Sequence, residues 1–545
     1  MITTCDRHSD DTRLTADICI IGAGPAGLTL AAQLDGGPHT VLVVEAGGYP
    51  GTPDGLHEAG VAEMSGDFDA PALVPHRFGG AANEWIVRLP WNRRGVRMVP
   101  LSPIDLERRS WIPNSGWPIS WDELQRYYGA ATRFLSLDER GYELDAWTDD
   151  DHQPLALDTA GFSTGIEQFA DPRRFTRDLL DVLEASPNVH VVLGGSAGQL
   201  QGSPSRATVL EIDHDRPARL SAAASRFVVA TGGLENARLL LDARAGAGFG
   251  GGSDIVGRFY TDHHRVFTGT LTPARRDMFS TARMYDLTQR ETDAGSARPS
   301  VMGKLIPTAA LLRSEELLHS ASMLLPKPSP LIAAGRSDIG RLLRGNLRVL
   351  GERRSASRVA RTALHSLRLG VGLTAAQRRM PPRIDAGWSG VSGRWTPFER
   401  FDIETQIELA PDAGNRLTLG TTVDRFGRQR CDLTWTWSDA DLDSLRRTTD
   451  LLGRACEQTG VGAFAPTRWG STPELTTPCG AFHPSGTTRM SATAHNGVVD
   501  DRCRVHGTDN LFVIGSSTFP TVGYANPTLT IIALALRLAD DLSRN

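Results

Sequence analysis

The sequence predicts an α/β protein in two parts. One is built on a parallel sheet gathered from distant stretches of chain, the other on an antiparallel sheet with helices. Three observations predict it. A strand–turn–helix–strand unit near the start carries Gly22, Gly24 and Gly27 and ends in Glu45. Two further strand-to-glycine turns recur far downstream, at Ala230-Thr231-Gly232-Gly233 and at Gly515. Between them, residues 401–419 alternate apolar and polar with period two.

Asp17-Ile18-Cys19-Ile20-Ile21 is the apolar, β-branched run expected of a parallel strand buried on both faces. It ends at Gly22-Ala23-Gly24-Pro25-Ala26-Gly27, residues 28–34 continue as a helix, and 41–44 form a second apolar strand closed by Glu45. In such a unit Gly22 permits the tight turn. Gly24 lets the backbone approach a pyrophosphate at the helix N-terminus, Gly27 lets the helix close on the strand, and Glu45 accepts from a ribose hydroxyl. Glycine spacing alone is weak evidence; both strands and the acid make the unit a Rossmann-like dinucleotide site.

Residues 227–233 repeat the strand-to-glycine pattern and lead into a helix over 234–241, while 511–514 end at Gly515. Such turns lie at strand carboxyl ends, where an open sheet receives its ligand. In the alternating stretch, Phe401, Ile403, Thr405, Ile407 and Leu409 share one face, and Glu404, Gln406 and Glu408 the other. Asp412-Ala413-Gly414-Asn415 reads as a turn, with 416–419 as the partner strand. The expected division is 14–130, 180–270 and 471–545 for the dinucleotide domain and 271–470 for the substrate domain.

Bulk properties narrow the function. At 545 residues the chain is long enough for two substantial cores. A formal net charge of −5 argues against general nucleic-acid binding. No apolar run is long enough to span a bilayer, and the first fifteen residues hold no apolar signal core. Six cysteines (Cys5, Cys19, Cys431, Cys456, Cys479, Cys503) show no metal-ligand spacing and read as free thiols in a reducing cytoplasm. Residues 336–368 are rich in arginine and prone to helix; they read as a solvated excursion or a surface for an acidic partner or membrane face.

The C-terminal end carries the chemistry. His483 opens His483-Pro484-Ser485-Gly486-Thr487-Thr488-Arg489-Met490, and Ala525-Asn526-Pro527-Thr528-Leu529-Thr530 follows. A neutral imidazole suits proton abstraction from an alcohol near pH 7, and an amide N–H suits holding the same oxygen as charge develops.

With these residues the chain resembles the glucose–methanol–choline (GMC) oxidoreductases, a family of FAD enzymes. The resemblance includes the 22–27 turn with Glu45, Arg77-Phe78-Gly79-Gly80-Ala81-Ala82-Asn83-Glu84-Trp85, Ser115-Gly116-Trp117-Pro118, Ala230-Thr231-Gly232-Gly233, Gly257-Arg258 with Asp262-His263, and the C-terminal block. It does not extend through about 325–400. The ending looks most like the pyranose-oxidase branch, which acts on sugars and glycosides.

The resemblance implies that His483 is the catalytic base and Asn526 its partner. It places Gly80, Asn83, Gly232, Gly515, Ser516 and Thr528 near the flavin. Pyranose oxidases carry a histidine just before the tryptophan of the segment like 79–85, and it bonds covalently to FAD; here Glu84 stands in its place, so non-covalent FAD is expected. Gln406 matches a segment that faces the sugar. Glu404 and Glu408 beside it suggest a cationic substrate such as an aminated sugar or aminoglycoside precursor, unless the face simply meets solvent. The adjacent His263 and His264 could reach the active site, but two neighbouring histidines more often have one packed and one exposed.

The expected activity is FAD-dependent oxidation of a CH–OH group of a sugar, glycoside or aminoglycoside-type substrate, with O2 or another carrier as electron acceptor. An FAD-containing hydroxynitrile lyase-like enzyme of the same fold is the alternative, separated by whether an alcohol bleaches the flavin. A nicotinamide dehydrogenase would leave the C-terminal block without purpose, and a pure binding module would leave His483 and Asn526 unused.

Overall fold

The computed structural model describes residues 1–9, 11–50, 61–64, 76–89, 94–215, 219–249, 254–290, 299–328, 386–390, 397–477 and 481–544. The basic stretch 336–368 and Cys479 lie outside them.

The first sheet runs Ile2–Thr4, Val189–Leu193, Val41–Glu45, Thr12–Ile21, Leu220–Val229, then Arg206–Asp213 and Ser196–Ser203. The strands from Ile2–Thr4 to Leu220–Val229 are parallel, and the last two pair antiparallel. Leu511–Val513 adds in parallel along Phe227, Val228 and Val229. The central strand holds Ile18, Cys19 and Ile20 fully buried, as expected of a strand covered on both faces. Each such apolar side chain contributes about 1.5–3 kcal/mol relative to exposure. The helices Pro25–Leu34 and Thr528–Arg544 pack on each other, and Trp121–Phe134 packs on the latter. Glu235–Ala247 packs on Ser196–Ser203.

A second, antiparallel sheet runs Gly462–Pro466, His264–Pro273, Phe398–Ile407, Ser320–Pro328, Ser300–Pro307, Phe162–Ala170, Arg94–Met98, Ile86–Arg88. The expected mixed α/β architecture is therefore present, but the segments are more interleaved than the sequence suggested. Strands from 86–98 and 162–170 belong to the second sheet, and the strand His264–Pro273 crosses the boundary expected at 270.

The hairpin expected from the alternating stretch does not form. Phe398–Ile407 is flanked on both edges, by His264–Pro273 and Ser320–Pro328. With no edge left, Arg416–Val423 pairs with Gln429–Thr434 in a small separate sheet. The polar face of Phe398–Ile407 is not solvated either: Glu404, Gln406 and the following Glu408 are all buried.

The 22–27 turn is as tight as its glycines require. Gly22 has φ +104°, and a Cβ on Gly27 would stand 2.0 Å from the Gly22 carbonyl oxygen. Gly27→Ala must therefore push the helix Pro25–Leu34 off its strand. It is expected to lower the stability of the folded chain by about 1–3 kcal/mol or more, as overpacking does, read from the urea midpoint at unchanged slope.

Candidate active site

A cleft of about 1150 Å³ opens at the carboxyl ends of the parallel strands, lined among others by Gly22, Gly24, Glu45, Gly80, Gly232 and His483. A Cβ on Gly24 would meet nothing within 4 Å among the described residues, and the turn lines the cleft there. Glu45 is buried, accepting from the Ala23 N–H at 2.7 Å and the Gly47 N–H at 2.8 Å. Each carboxylate oxygen keeps a lone pair beyond those bonds.

The 79–85 segment lies directly over the turn. A Cβ on Gly80 would stand 2.9 Å from the Gly24 Cα. Asn83 holds this segment in shape by donating to the Phe78 and Gly80 carbonyls at 3.1 and 2.8 Å. Glu84 points outward, exposed and paired with Arg77. Downstream, the Asn236 side chain joins the other two glycine turns. Its oxygen accepts from the Thr231 N–H and hydroxyl, and its amide donates to the Ile514 carbonyl and the Ser517 hydroxyl. Gly232 and Gly515 take the positive φ values these turns need, +97° and +123°. Ser516 lines the cleft and donates to the Pro484 carbonyl at 2.7 Å. Thr528 is buried at the start of the last helix, where its neighbours Pro527 and Ile531 line the cleft.

His483 and Asn526 come together. The His483 Nε2 and the Asn526 amide nitrogen are 2.9 Å apart, although 43 residues separate them. His483 Nδ1 lies 2.9 Å from His263 Nδ1, a residue 220 positions away, and the two rings meet edge-on. His263 Nε2 in turn lies 2.9 Å from the Gly523 carbonyl oxygen. One oxygen of Asp262 accepts the backbone N–H of both His263 and His483, at 2.6 and 3.0 Å, and so fixes where the two rings start. Burial pushes His483 well below the ordinary histidine pKa, with the positive charges of Arg265, Lys304 and Arg97 acting in the same direction. Burial also lowers His263 to about 4.

The adjacent histidines are both buried, against the expectation of one exposed ring. His263 meets His483, while His264 meets Trp435 and Trp437. Consecutive residues at the head of an extended strand point opposite ways, and here both directions lead into protein.

The residues proposed from sequence to face substrate are committed to the protein. Glu408 forms a bidentate pair with Arg109, at 2.6 and 2.8 Å, with both side chains fully buried. It also accepts from the Gly523 and His319 N–H groups at 3.2 and 3.1 Å. Gln406 donates to the Tyr524 carbonyl at 2.7 Å. Glu404 is paired with Arg265. The alternation located the right face of the strand, but protein packs against that face. Asp105 completes the cluster: it bonds His319 at 2.7 Å and accepts from the Ser102 N–H. Arg109, Asp105 and His319 were not singled out by the sequence, because their partners are remote in the chain.

Arg109→Met leaves the Glu408 carboxylate buried without its countercharge. Breaking such a pair costs about 3–5 kcal/mol; the expected result is a urea midpoint lowered accordingly, and a loss under 1 kcal/mol would show that the pair carries little.

Two family models match the sequence: one described as GMC oxidoreductase over residues 411–535 and one as FAD dependent oxidoreductase over 17–283. Among curated relatives, 6'''-hydroxyparomomycin C oxidase of Streptomyces lividus is 34% identical over 135 residues, 25% of this chain and 24% of the relative. Pyranose 2-oxidase of Tricholoma matsutake is 38% identical over 145 residues, 26% of this chain and 25% of the relative. The chain thus matches about a quarter of the length of each. An FAD-dependent oxidoreductase from Chaetomium thermophilum shares the fold with a TM-score of 0.53 at 17% identity, over 97% of this chain and 99% of that one. The formate oxidase of Aspergillus oryzae does so with a TM-score of 0.52 at 16% identity, over 98% of both chains. With its glycine turns converging on one cleft and His483 beside Asn526 at its wall, the chain belongs to the GMC oxidoreductase family of FAD-dependent enzymes.

Proposed function

We propose that the protein oxidises a CH–OH group of a sugar-like substrate to the carbonyl, with FAD as its cofactor. The observation that carries the proposal is the buried His483 with its Nε2 2.9 Å from the Asn526 amide, at the wall of the cleft. The residues fit FAD. The open Gly24 turn at a helix N-terminus suits the pyrophosphate, Glu45 retains acceptor capacity for a ribose hydroxyl, and Gly80 leaves the 79–85 segment without a side chain against the turn. Bound there, FAD supplies the hydride acceptor.

The chain's own residues supply the rest. His483 accepts the hydroxyl proton at Nε2, a role open to it because burial keeps the ring neutral. The Asn526 N–H then donates to the alcohol oxygen as negative charge develops on it. Asp262 and His263 hold the imidazole in place, so little reorganisation accompanies proton transfer.

The sugar-type substrate rests on the partial matches to oxidases of paromomycin-type compounds and of pyranose. The carboxylates that suggested a cationic substrate are neutralised by Arg265 and Arg109, so recognition is assigned to hydroxyl groups, and amino sugars are one arm of the test. We read the flavin as non-covalent, since Glu84 cannot form the linkage and points away from the cleft. Acid precipitation is expected to release all the yellow colour into the supernatant. Burial of the five described cysteines as free thiols supports a cytoplasmic setting.

The deciding experiment is anaerobic bleaching of the flavin band by neutral sugars, glycosides and amino sugars. One class is expected to bleach it, and His483→Ala to slow bleaching by about 10²–10⁴-fold with flavin still bound. Retained colour with every alcohol inert would favour the lyase chemistry instead. The pH dependence has a fixed sign. Because the His483 pKa is depressed, its basic form persists as pH falls below the ordinary histidine value, and the rate is lost only on passing the lower one. The acid limb of the bleaching rate is therefore expected clearly below pH 6.5.

A further inference from the structure

The contacts between Gly523 and Asn526 form a chain whose hydrogen positions are determined from one end. A carbonyl oxygen can only accept, so the His263 Nε2 facing the Gly523 oxygen at 2.9 Å carries a hydrogen. A neutral imidazole has one N–H, which leaves His263 Nδ1 as a bare acceptor. His483 Nδ1, 2.9 Å away, must then be the donor. That leaves the second nitrogen of His483, Nε2, with its lone pair free, facing the Asn526 amide nitrogen at 2.9 Å. The reverse polarity would set two lone pairs against each other at Gly523. It would also turn the Asn526 oxygen toward His483. In the observed arrangement that oxygen is buried and has no partner among the described residues.

We propose that His263 is a positioning residue: anchored on the Gly523 carbonyl, it fixes the tautomer of His483 and the amide orientation of Asn526. The proposal rests on the oxidation reading for its consequence, though not for its geometry. When the alcohol O–H bond breaks, the proton would bond to His483 Nε2, and FAD held at the 22–27 turn would supply the acceptor for the C–H electron pair. The imidazolium so formed keeps its Nδ1–H on His263, which accepts it without moving. The chain ends at an amide carbonyl, which takes no proton at neutral pH. The abstracted proton therefore leaves by Nε2, the way it came.

Among the described residues nothing else at the site supplies this polarity. Asp262 touches both histidines only through their backbone N–H groups and says nothing about their ring hydrogens. The unpaired Asn526 oxygen agrees with that polarity, since a protonated Nε2 would draw the oxygen toward itself in place of the amide N–H.

The test uses the FAD-loaded protein labelled with ¹⁵N in its histidines, in the resting oxidised state, with two variants. His263→Gln can donate to the Gly523 carbonyl and accept from His483, whereas His263→Leu can do neither. In the wild type, the ¹⁵N signals of His483, assigned by their loss in His483→Ala, are expected to show a protonated Nδ1 and a bare Nε2. His263→Gln should keep that tautomer and reduce its flavin within about tenfold of the wild-type rate. His263→Leu should show mixed tautomers and a rate lower by about 10²–10⁴-fold, the scale of a general base held in the wrong tautomer. The concentration of alcohol giving half-maximal rate should change less than about threefold, since His263 does not touch substrate.

A wild-type His483 protonated at Nε2 overturns the proposal. So does a His263→Leu variant that keeps both tautomer and rate. Should the leucine variant fail to fold, the wild-type spectrum decides alone. If the tautomer is as stated but no alcohol reduces the flavin, the chain of hydrogen bonds stands and the oxidation reading falls.

Discussion

The site depends on the backbone of one residue. The Gly523 N–H donates to Glu408 and its carbonyl accepts from His263, so the two sides of a single residue hold the antiparallel sheet and the His263–His483 pair. Its φ of +55° favours glycine, and a Cβ there would stand 2.4 Å from an Asp105 oxygen. The 521–526 loop that delivers Asn526 is thus fixed from several sides at once. Thr521 donates to the Asp105 carbonyl and accepts from the Trp117 indole, and Tyr524 accepts from Gln406. Trp117 of the Ser-Gly-Trp-Pro motif therefore serves this loop from about 400 residues away.

Buried ions make such anchoring exacting. Arg109 and Glu408 lose their hydration entirely, which a single contact would not offset. Their arrangement is favourable because each Glu408 oxygen takes one guanidinium N–H and one backbone N–H. The same logic recurs where Glu167 lies between Arg97 and Lys304. Such clusters fix geometry more surely than they raise stability, and the proposed base, which must meet an alcohol hydroxyl, needs fixed geometry.

Much of this was legible in the sequence, and what was not has a common cause. The dinucleotide turn is a local object: strand, glycines, helix and acid lie within about thirty residues, and the structure places them as their chemistry requires. His483 and Asn526 were named from their motifs and do lie in contact. Period-two alternation told correctly which residues share a face of the strand Phe398–Ile407. It could not tell that Arg109, Arg265 and Tyr524 would cover that face. That His263 could reach the site was legible, but two histidines in sequence do not name a third, 220 residues on, as the partner. The strand pairing failed for the same reason: a turn-like Asp-Ala-Gly-Asn indicates a reversal of the chain, and competition for strand edges decides who pairs.

The central sheet has a consequence for how the chain is made. Phe227, Val228 and Val229 are fully buried and pair on one side with the strand Thr12–Ile21, but on the other with Leu511–Val513. That last partner leaves the ribosome about 280 residues later, at roughly 5–20 residues per second. Through that interval the growing polypeptide carries an open, apolar strand edge, the template on which chains join one another. Heterologous expression is therefore best served by slow synthesis at low temperature with abundant chaperone, and a polypeptide cut short before residue 511 keeps that sticky edge permanently.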